Sequence, residues 1–278
     1  KKSTYKIHLQ LNTCNVVGGI LFNNDTYMKK IFFSIIVLLA CQFSNAQLNI
    51  YSGLNLQGTS GTCVVRTIYV GSSIPNSLNN SIKSISLNLG FMATLAENED
   101  GSGERFTYMA TKTNLTVNLA YVLQNKVSFI RVMKLPTTPI KKKGSCNTNN
   151  AYTADLNVSW FYDWGFNDFS TPTREFVPMS WNANGANDAN INAVIAKDTL
   201  THYSAFNEPD NDGQANMFVS KAIPPYKKLL RAGLRMGSPA CTESQYRVWL
   251  DSFMTVAKDS LRVDYVCDHW YDWGNWLS

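Results

Sequence analysis

Apolar and polar residues alternate at period two through Leu48-Asn49-Ile50-Tyr51 and through residues 63–70, 82–87, 92–95, 115–117 and 127–132. Gly, Asn, Ser and Asp fill the gaps between these runs. Such alternation turns one face of each run to a core and the other to water. It predicts the antiparallel strands of a small sandwich over residues 47–134. From residue 143 the pattern changes. Short apolar runs at 158–162, 176–181, 203–207, 235–238 and 263–269, with a weaker one at 143–146, are spaced by helix-like stretches at 189–196, 214–233 and 245–260. Strand–helix alternation predicts a parallel sheet, and Pro224-Pro225 predicts a break or kink in the second helix. The Pro/Thr/Lys stretch 135–142 reads as a linker between the two regions.

The first region contains a repeat. Asn79-Asn80-Ser81-Ile82-Lys83-Ser84-Ile85 returns as Gln124-Asn125-Lys126-Val127-Ser128-Phe129-Ile130. With Tyr51 to Gly58, and Gly90-Phe91 followed by Glu97-Asn98-Glu99-Asp100-Gly101, residues 47–134 resemble one βγ-crystallin-type domain of two Greek keys. Such domains often bind calcium through two acidic or amide residues followed, two positions on, by Ser/Thr-Ser. Here Lys83 stands where Ser or Thr is expected, and Gln124 and Phe129 depart from the pattern in the second copy. Calcium takes several hard oxygen ligands, which a nearby lysine opposes. The expectation is a structural or carbohydrate-facing module, with calcium as its weak alternative.

Composition adds a compartment. Only 16% of residues are charged and 12% are aromatic, the reverse of a disordered chain. Five lysines against Asp25 in residues 1–46 carry four of the five net positive charges, so the remainder is close to neutral. That argues against a nucleic-acid partner, which needs a basic face on the folded part. Met28-Lys29-Lys30, the apolar run 31–40 and Ser44-Asn45-Ala46 before Gln47 form a bacterial-type signal peptide over residues 28–46, with 1–27 as upstream flanking sequence. The run is about half the ~20 residues of a membrane span. Leu38-Leu39-Ala40-Cys41 is also similar to a lipobox, so the alternative to secretion is a lipid anchor at Cys41. Beyond the leader stand Cys63, Cys146, Cys241 and Cys267, with no zinc-type spacing.

The chemistry lies where the apolar runs of the second region end. These ends carry Trp160, Tyr162, Asp163 and Trp164; Ser180, Trp181 and Asn182; Asn207 and Glu208; Ser238; and His269, Trp270 and Tyr271. In a (β/α)₈ barrel the carboxyl ends of the strands converge on the active site. Trp and Tyr offer an apolar face to a sugar ring and a polar edge to its hydroxyls. Ser159-Trp160-Phe161-Tyr162-Asp163-Trp164-Gly165, Glu175 to Trp181, Phe206-Asn207-Glu208-Pro209-Asp210 with Gln214-Ala215-Asn216, Gly237-Ser238-Pro239-Ala240 and Asp264 to Tyr271 together resemble glycoside hydrolase family 128, in clan A of the retaining glycosidases. The resemblance covers residues 143–278 and implies a (β/α)₈ fold and endo-hydrolysis of β-1,3-glucan. By its motif, Glu208 is the general acid/base and Asn207 binds the sugar hydroxyl beside the cleaved bond. Trp160, Tyr162, Trp164, Trp181, His269 and Tyr271 line the subsites. It implies no cofactor and no metal.

Retaining hydrolysis also needs a nucleophilic carboxylate about 5–5.5 Å from the acid. The resemblance places it after a seventh strand, and six strand-like runs are present by residue 278. Asp163, Asp268 and Asp272 match no nucleophile position in the motif. The expectation is therefore a multidomain chain: a β-sandwich over 47–134, a linker over 135–142 and a partial, C-terminally truncated barrel over 143–278 that has no nucleophile of its own and is inactive alone. The alternatives are a non-catalytic carbohydrate-binding protein and a clan A hydrolase of another β-glycan.

Overall fold

Alternation in the first region folds as two antiparallel sheets. The computed structural model describes residues 47–137, 142–146, 153, 155–242, 246–258 and 260–270. The leader assigned to 28–46, Cys41 and Tyr271 lie outside the described residues. β1 (Leu48–Tyr51), β2 (Ser60–Cys63), β4 (Ser84–Leu87) and β7 (Leu115–Asn118) form one sheet in the order β2-β1-β4-β7. β3 (Ile68–Val70), β5 (Phe91–Ala96), β6 (Arg105–Met109) and β8 (Phe129–Lys134) form the other, in the order β3-β8-β5-β6. Advancing each strand of the first sheet by four gives β6-β5-β8-β3, so both sheets follow one plan. Each half of the region lends one strand, β3 or β7, to the other half's sheet. The repeat read from the sequence is thus a repeat of topology. Leu48, Ile50, Ile85, Leu87, Leu95 and Ile130, all fully buried, fill the space between the sheets.

Two details depart from the sequence reading. Residues 63–70 are not one strand. Arg66 sits at φ +67°, and Val64 N–H donates to the Tyr69 hydroxyl at 3.1 Å. The chain turns there because it must pass from one sheet to the other. β6 was not foreseen, because Arg105 and the surrounding Gly and Glu mask the alternation of Phe106 and Tyr108.

The second region is a run of parallel pairings taken in chain order. β9 (Gly144–Cys146), β10 (Trp160–Tyr162) and β11 (Glu175–Phe176) pair in parallel. A parallel bridge from Met179 to Ser204 carries the sequence on to β12 (His202–Tyr203), which pairs with β13 (Arg235–Met236). A further bridge joins Gly237 to Tyr265. Each strand lies beside the next one in sequence, as when helices cross over a single face of a curved sheet.

Three helices cover that face: α1 (Asp188–Ile195), α2 (Val219–Leu229) and α3 (Asp251–Ala257). α2 begins five residues later than the apolar pattern suggested, because residues 209–217 are spent on turns around the site. It runs unbroken through Pro224 and Pro225. The two lost N–H donors would have served the carbonyls of Ser220 and Lys221, which are exposed residues, where water replaces the bond. Tyr226 lies edge-on to Phe206 and Phe253, and these rings with Tyr203, Met236 and Leu229 form the core. Met92 and Met133 of the sandwich belong to the same core. Leu135 N–H donates to Gly90 at 2.9 Å and Thr137 to Pro172. Among the described residues no helix is long and apolar enough to cross a membrane.

Candidate active site

β12 delivers the site. Its strand continues through Ser204, Ala205 and Phe206, where Ala205 and Phe206 are buried. Asn207 is then held on both sides: its N–H donates to Trp181 O at 3.0 Å, and it bridges to Ala240. Glu208 N–H donates to Ala240 O at 2.7 Å. The right-handed helical region is disfavoured for the residue before a proline, and Glu208 takes φ +44°. Glutamate rarely adopts this left-handed geometry, and such strain clusters at functional positions. Hydrogen bonds from Asn211 N–H to Glu208 O, Met217 N–H to Pro209 O and Ala215 N–H to Asn207 O fasten the following turn. Asp210 closes it by accepting from Thr242 N–H and Oγ1.

The Glu208 carboxyl group is buried and held at both oxygens. His269 Nδ1 lies 2.7 Å from Oε1, within hydrogen-bond distance. Asn211 Nδ2 donates to Oε2 at 2.9 Å. Asn207 Nδ2 donates to Gln214 Oε1 at 3.0 Å. Asn207 Oδ1 is buried with no hydrogen-bond partner among the described residues. An unsatisfied buried acceptor costs about 1–3 kcal/mol, so a ligand hydroxyl that fills it gains that amount back.

The expected site residues divide. Glu208, Asn207 and His269 come together, and His269 touches the carboxyl group itself. Trp181 adjoins them through its carbonyl. Tyr162 and Trp164 stand edge to face, with centroids 5.6 Å apart at the end of β10, and Gly165 O accepts from Met179 N–H in the next strand. Trp160 behaves differently. Its ring lies over Gly144, where a Cβ would collide with it. Its indole N–H donates at 3.2 Å to Lys142 O, ahead of β9. Trp160 packs β10 onto β9 toward the start of the strands. Ser238 is a tie between strand ends: its Oγ accepts from Cys267 N–H at 2.9 Å and donates to Pro239 O. Asn211 was missed by the sequence reading; an Asn three residues beyond the acid, inside a turn, was its only signal.

The calcium alternative maps to an open pocket of about 520 Å³ lined by Asn80, Glu97, Asn98, Glu99, Asn125, Lys126 and Ser128. Lys126 Nζ stands 3.5 Å from Glu97, and Ser128 Oγ donates to Asn80 Oδ1. An ammonium group already neutralises the carboxylate a cation would need. Among the described residues no three His, Cys, Asp or Glu side chains are grouped to hold a metal.

Residues 139–277 match the family model described as the glycosyl hydrolase catalytic core. No curated protein matches the chain. Among solved structures, the chain is similar to a GH128 subgroup I endo-β-1,3-glucanase from Amycolatopsis mediterranei in complex with laminaritriose, at 33% identity and TM-score 0.40, covering 46% of this chain and 56% of that one. A subgroup II endo-β-1,3-glucanase from Pseudomonas viridiflava matches at 26% identity and TM-score 0.39, over 48% of this chain and 62% of that one. A subgroup III curdlan-specific exo-β-1,3-glucanase from Blastomyces gilchristii, in complex with glucose, matches at 27% and 0.40, over 49% and 63%. The chain thus spans about three fifths of the solved proteins it matches.

Proposed function

The chain belongs to the glycosyl hydrolase catalytic-core family, and on that premise we propose that it is the acid/base-bearing part of a secreted, retaining endo-β-1,3-glucanase. The observation that carries this reading is the Glu208 carboxyl group. It is buried at the end of a parallel strand, held by His269 and Asn211, and next to the open acceptor of Asn207. Protonated Glu208 donates to the leaving glycosidic oxygen; as a carboxylate it then draws a proton from the water that releases the sugar. His269 and Asn211 hold the two oxygens so that the proton is presented in one direction. Asn207 receives a sugar hydroxyl, and Trp181, Tyr162 and Trp164 supply the apolar faces on which a pyranose stacks.

Under this reading β9 to β13 and the segment through Tyr265 are six strands of a (β/α)₈ barrel, and the sandwich is βγ-crystallin-like. The nucleophile is assigned to no residue of this chain. The motif set, from residues 159–165 to Asp264–His269, favours β-1,3-glucan over other β-glycans. The reaction takes no cofactor, since two carboxylates and water complete it. The pocket at Lys126 does not suit calcium. Export through residues 28–46 predicts a mature terminus at Gln47; a lipid-modified Cys41 at the mature terminus is the contrary result.

The test is laminari-oligosaccharide binding and β-1,3-glucan hydrolysis by the full-length protein and its Glu208→Gln variant. Binding should persist within a few-fold while turnover falls by about 10²–10⁴. Unchanged turnover sinks the acid/base role. Binding without turnover in the unsubstituted protein points to a carbohydrate-binding protein, and preference for another β-glycan corrects the substrate.

A further inference from the structure

Arg105 and Arg131 are the only buried cations among the described residues, at 2% and 3% exposure. Both lie on the second sheet of the sandwich, on β6 and β8. Among the described residues neither has a hydrogen-bonded carboxylate. Arg131 donates to the carbonyls of Ala232, Ile195 at 2.9 Å and Lys197 at 3.3 Å. Arg105 donates to the carbonyl of Leu234. A buried charge needs hydrogen bonds or a nearby opposite charge to replace its water. Arg131 has three carbonyl acceptors, whereas Arg105 Nε and Nη1 are buried with no partner among the described residues and the charge of Asp264 stands near.

Ile195 is the last residue of α1, and Ala232 is the last residue of the short 3₁₀ turn Leu230–Ala232 that extends α2. Helix C-termini end in carbonyls with no intrahelical partner and bear the negative end of the helix dipole. α1 has no basic residue in its last turn and no left-handed C-cap. The α2 end has Arg231 in its last turn and a left-handed C-cap at Gly233. The guanidinium group of Arg131 therefore supplies at α1 what that helix's own sequence leaves undone, and adds a donor to the Ala232 carbonyl of the second. The approach is close. A Cβ on Gly233 would meet Arg131 Cβ at 2.9 Å, and one on Gly101 would meet Leu230 O at 2.6 Å. Around this centre Arg66 pairs with Asp198 at 2.6 Å and Lys227 with Asp100 at 3.3 Å. Burial pushes both guanidinium groups down to about 10, so they remain charged at neutral pH.

The position of these contacts has a direction. The acceptors at 195–198 precede β12, those at 232–234 precede β13, and Pro172, which accepts from Thr137, precedes β11. Asn207, Glu208 and Ser238 follow the same strands. The sandwich sits at the amino ends of strands whose carboxyl ends carry the site.

We propose that the sandwich is an intramolecular cap on the base of the hydrolase segment, which folds and unfolds with it as one cooperative unit, and that it is not a tethered module that presents substrate to the site. This holds whatever sugar the site takes. All seven tryptophans lie at or beyond Trp160, so tryptophan fluorescence of the intact chain reports on the hydrolase segment alone. Ile50→Val removes one methylene from the sandwich core, away from the contact surface. It should lower the tryptophan melting midpoint by the same amount as the midpoint read by hydrogen exchange in β1 and β4. Arg131→Lys, which keeps the charge but cannot span the three carbonyls, should lower both again. If Ile50→Val loosens β1 and β4 while the tryptophan midpoint stays at its original value, the two regions unfold independently and the proposal fails.

Discussion

Arg131→Met is the substitution whose sign is least obvious. Methionine occupies the path of the arginine stem and keeps most of its apolar contacts, so the change isolates the guanidinium group. Removing it leaves the carbonyls of Ala232, Ile195 and Lys197 without their donor. Each unsatisfied buried acceptor costs about 1–3 kcal/mol. Ala232 is fully buried and bears the whole penalty. Ile195 and Lys197 are half-buried, and water recovers part of theirs. Against this, the variant no longer buries a charge, and replacing buried ionic groups by apolar ones is neutral or stabilising in some proteins. In those cases the apolar replacement left no orphaned partners; here the partners are backbone carbonyls that cannot be removed. The net loss is about 2–4 kcal/mol, or roughly 5–15 °C in Tm for a unit of this size. Circular dichroism and tryptophan fluorescence melts of the intact chain measure it. A variant within about 0.5 kcal/mol of the original, an ordinary surface-substitution effect, or one more stable than it, would refute the capping argument.

Three further outcomes are expected. In the full-length protein Asn211→Ala removes one of the two groups on Glu208 and should lower kcat about 10–100-fold with KM little changed, as for a charge-assisted bond of roughly 1.5–3 kcal/mol; an equal rise in KM would place Asn211 in binding instead. Gly237→Ala puts a Cβ 2.6 Å from Cys267 Sγ and 2.7 Å from the Tyr265 ring, and thermal melts should show a loss of about 1–3 kcal/mol from overpacking. At pH 8, exposed Cys146 should alkylate readily, whereas Cys63 and Cys267, whose thiols burial pushes up to about 12 and about 11, should react only on unfolding, as peptide mass mapping will show; fast labelling of Cys63 in the native protein would contradict its burial.

Two ends of the parallel strands were legible because the apolar run stops at a residue that cannot continue it: Pro209 after Glu208, Pro239 after Ser238. The Asn207-Glu208 pair could be placed at a strand end for that reason. The duplicated sandwich was legible because period-two alternation and the two Asn-rich turns repeat along the chain. The start of α2 was not, since the apolar spacing of 214–233 does not reveal that residues 209–217 are needed to fasten the turn below Glu208. The packing of Trp160 was not legible because its neighbours Tyr162 and Trp164 share its aromatic type, while the space that receives its ring belongs to Gly144 on another strand.

Arg105 and Arg131 mark the boundary most sharply. In an alternating strand a charged residue reads as solvent-facing, and nothing local says otherwise. Their true partners are carbonyls more than sixty residues away, at helix ends that any sequence could provide. By itself the chain determined its strand periodicity, its turns and the chemistry at its strand ends, because these rest on neighbours within a few positions. Only the tertiary structure decided that His269 meets Glu208, that Trp160 packs on Gly144, and that two sandwich arginines close the base of the hydrolase segment. Those contacts depend on which distant backbone groups folding leaves without water.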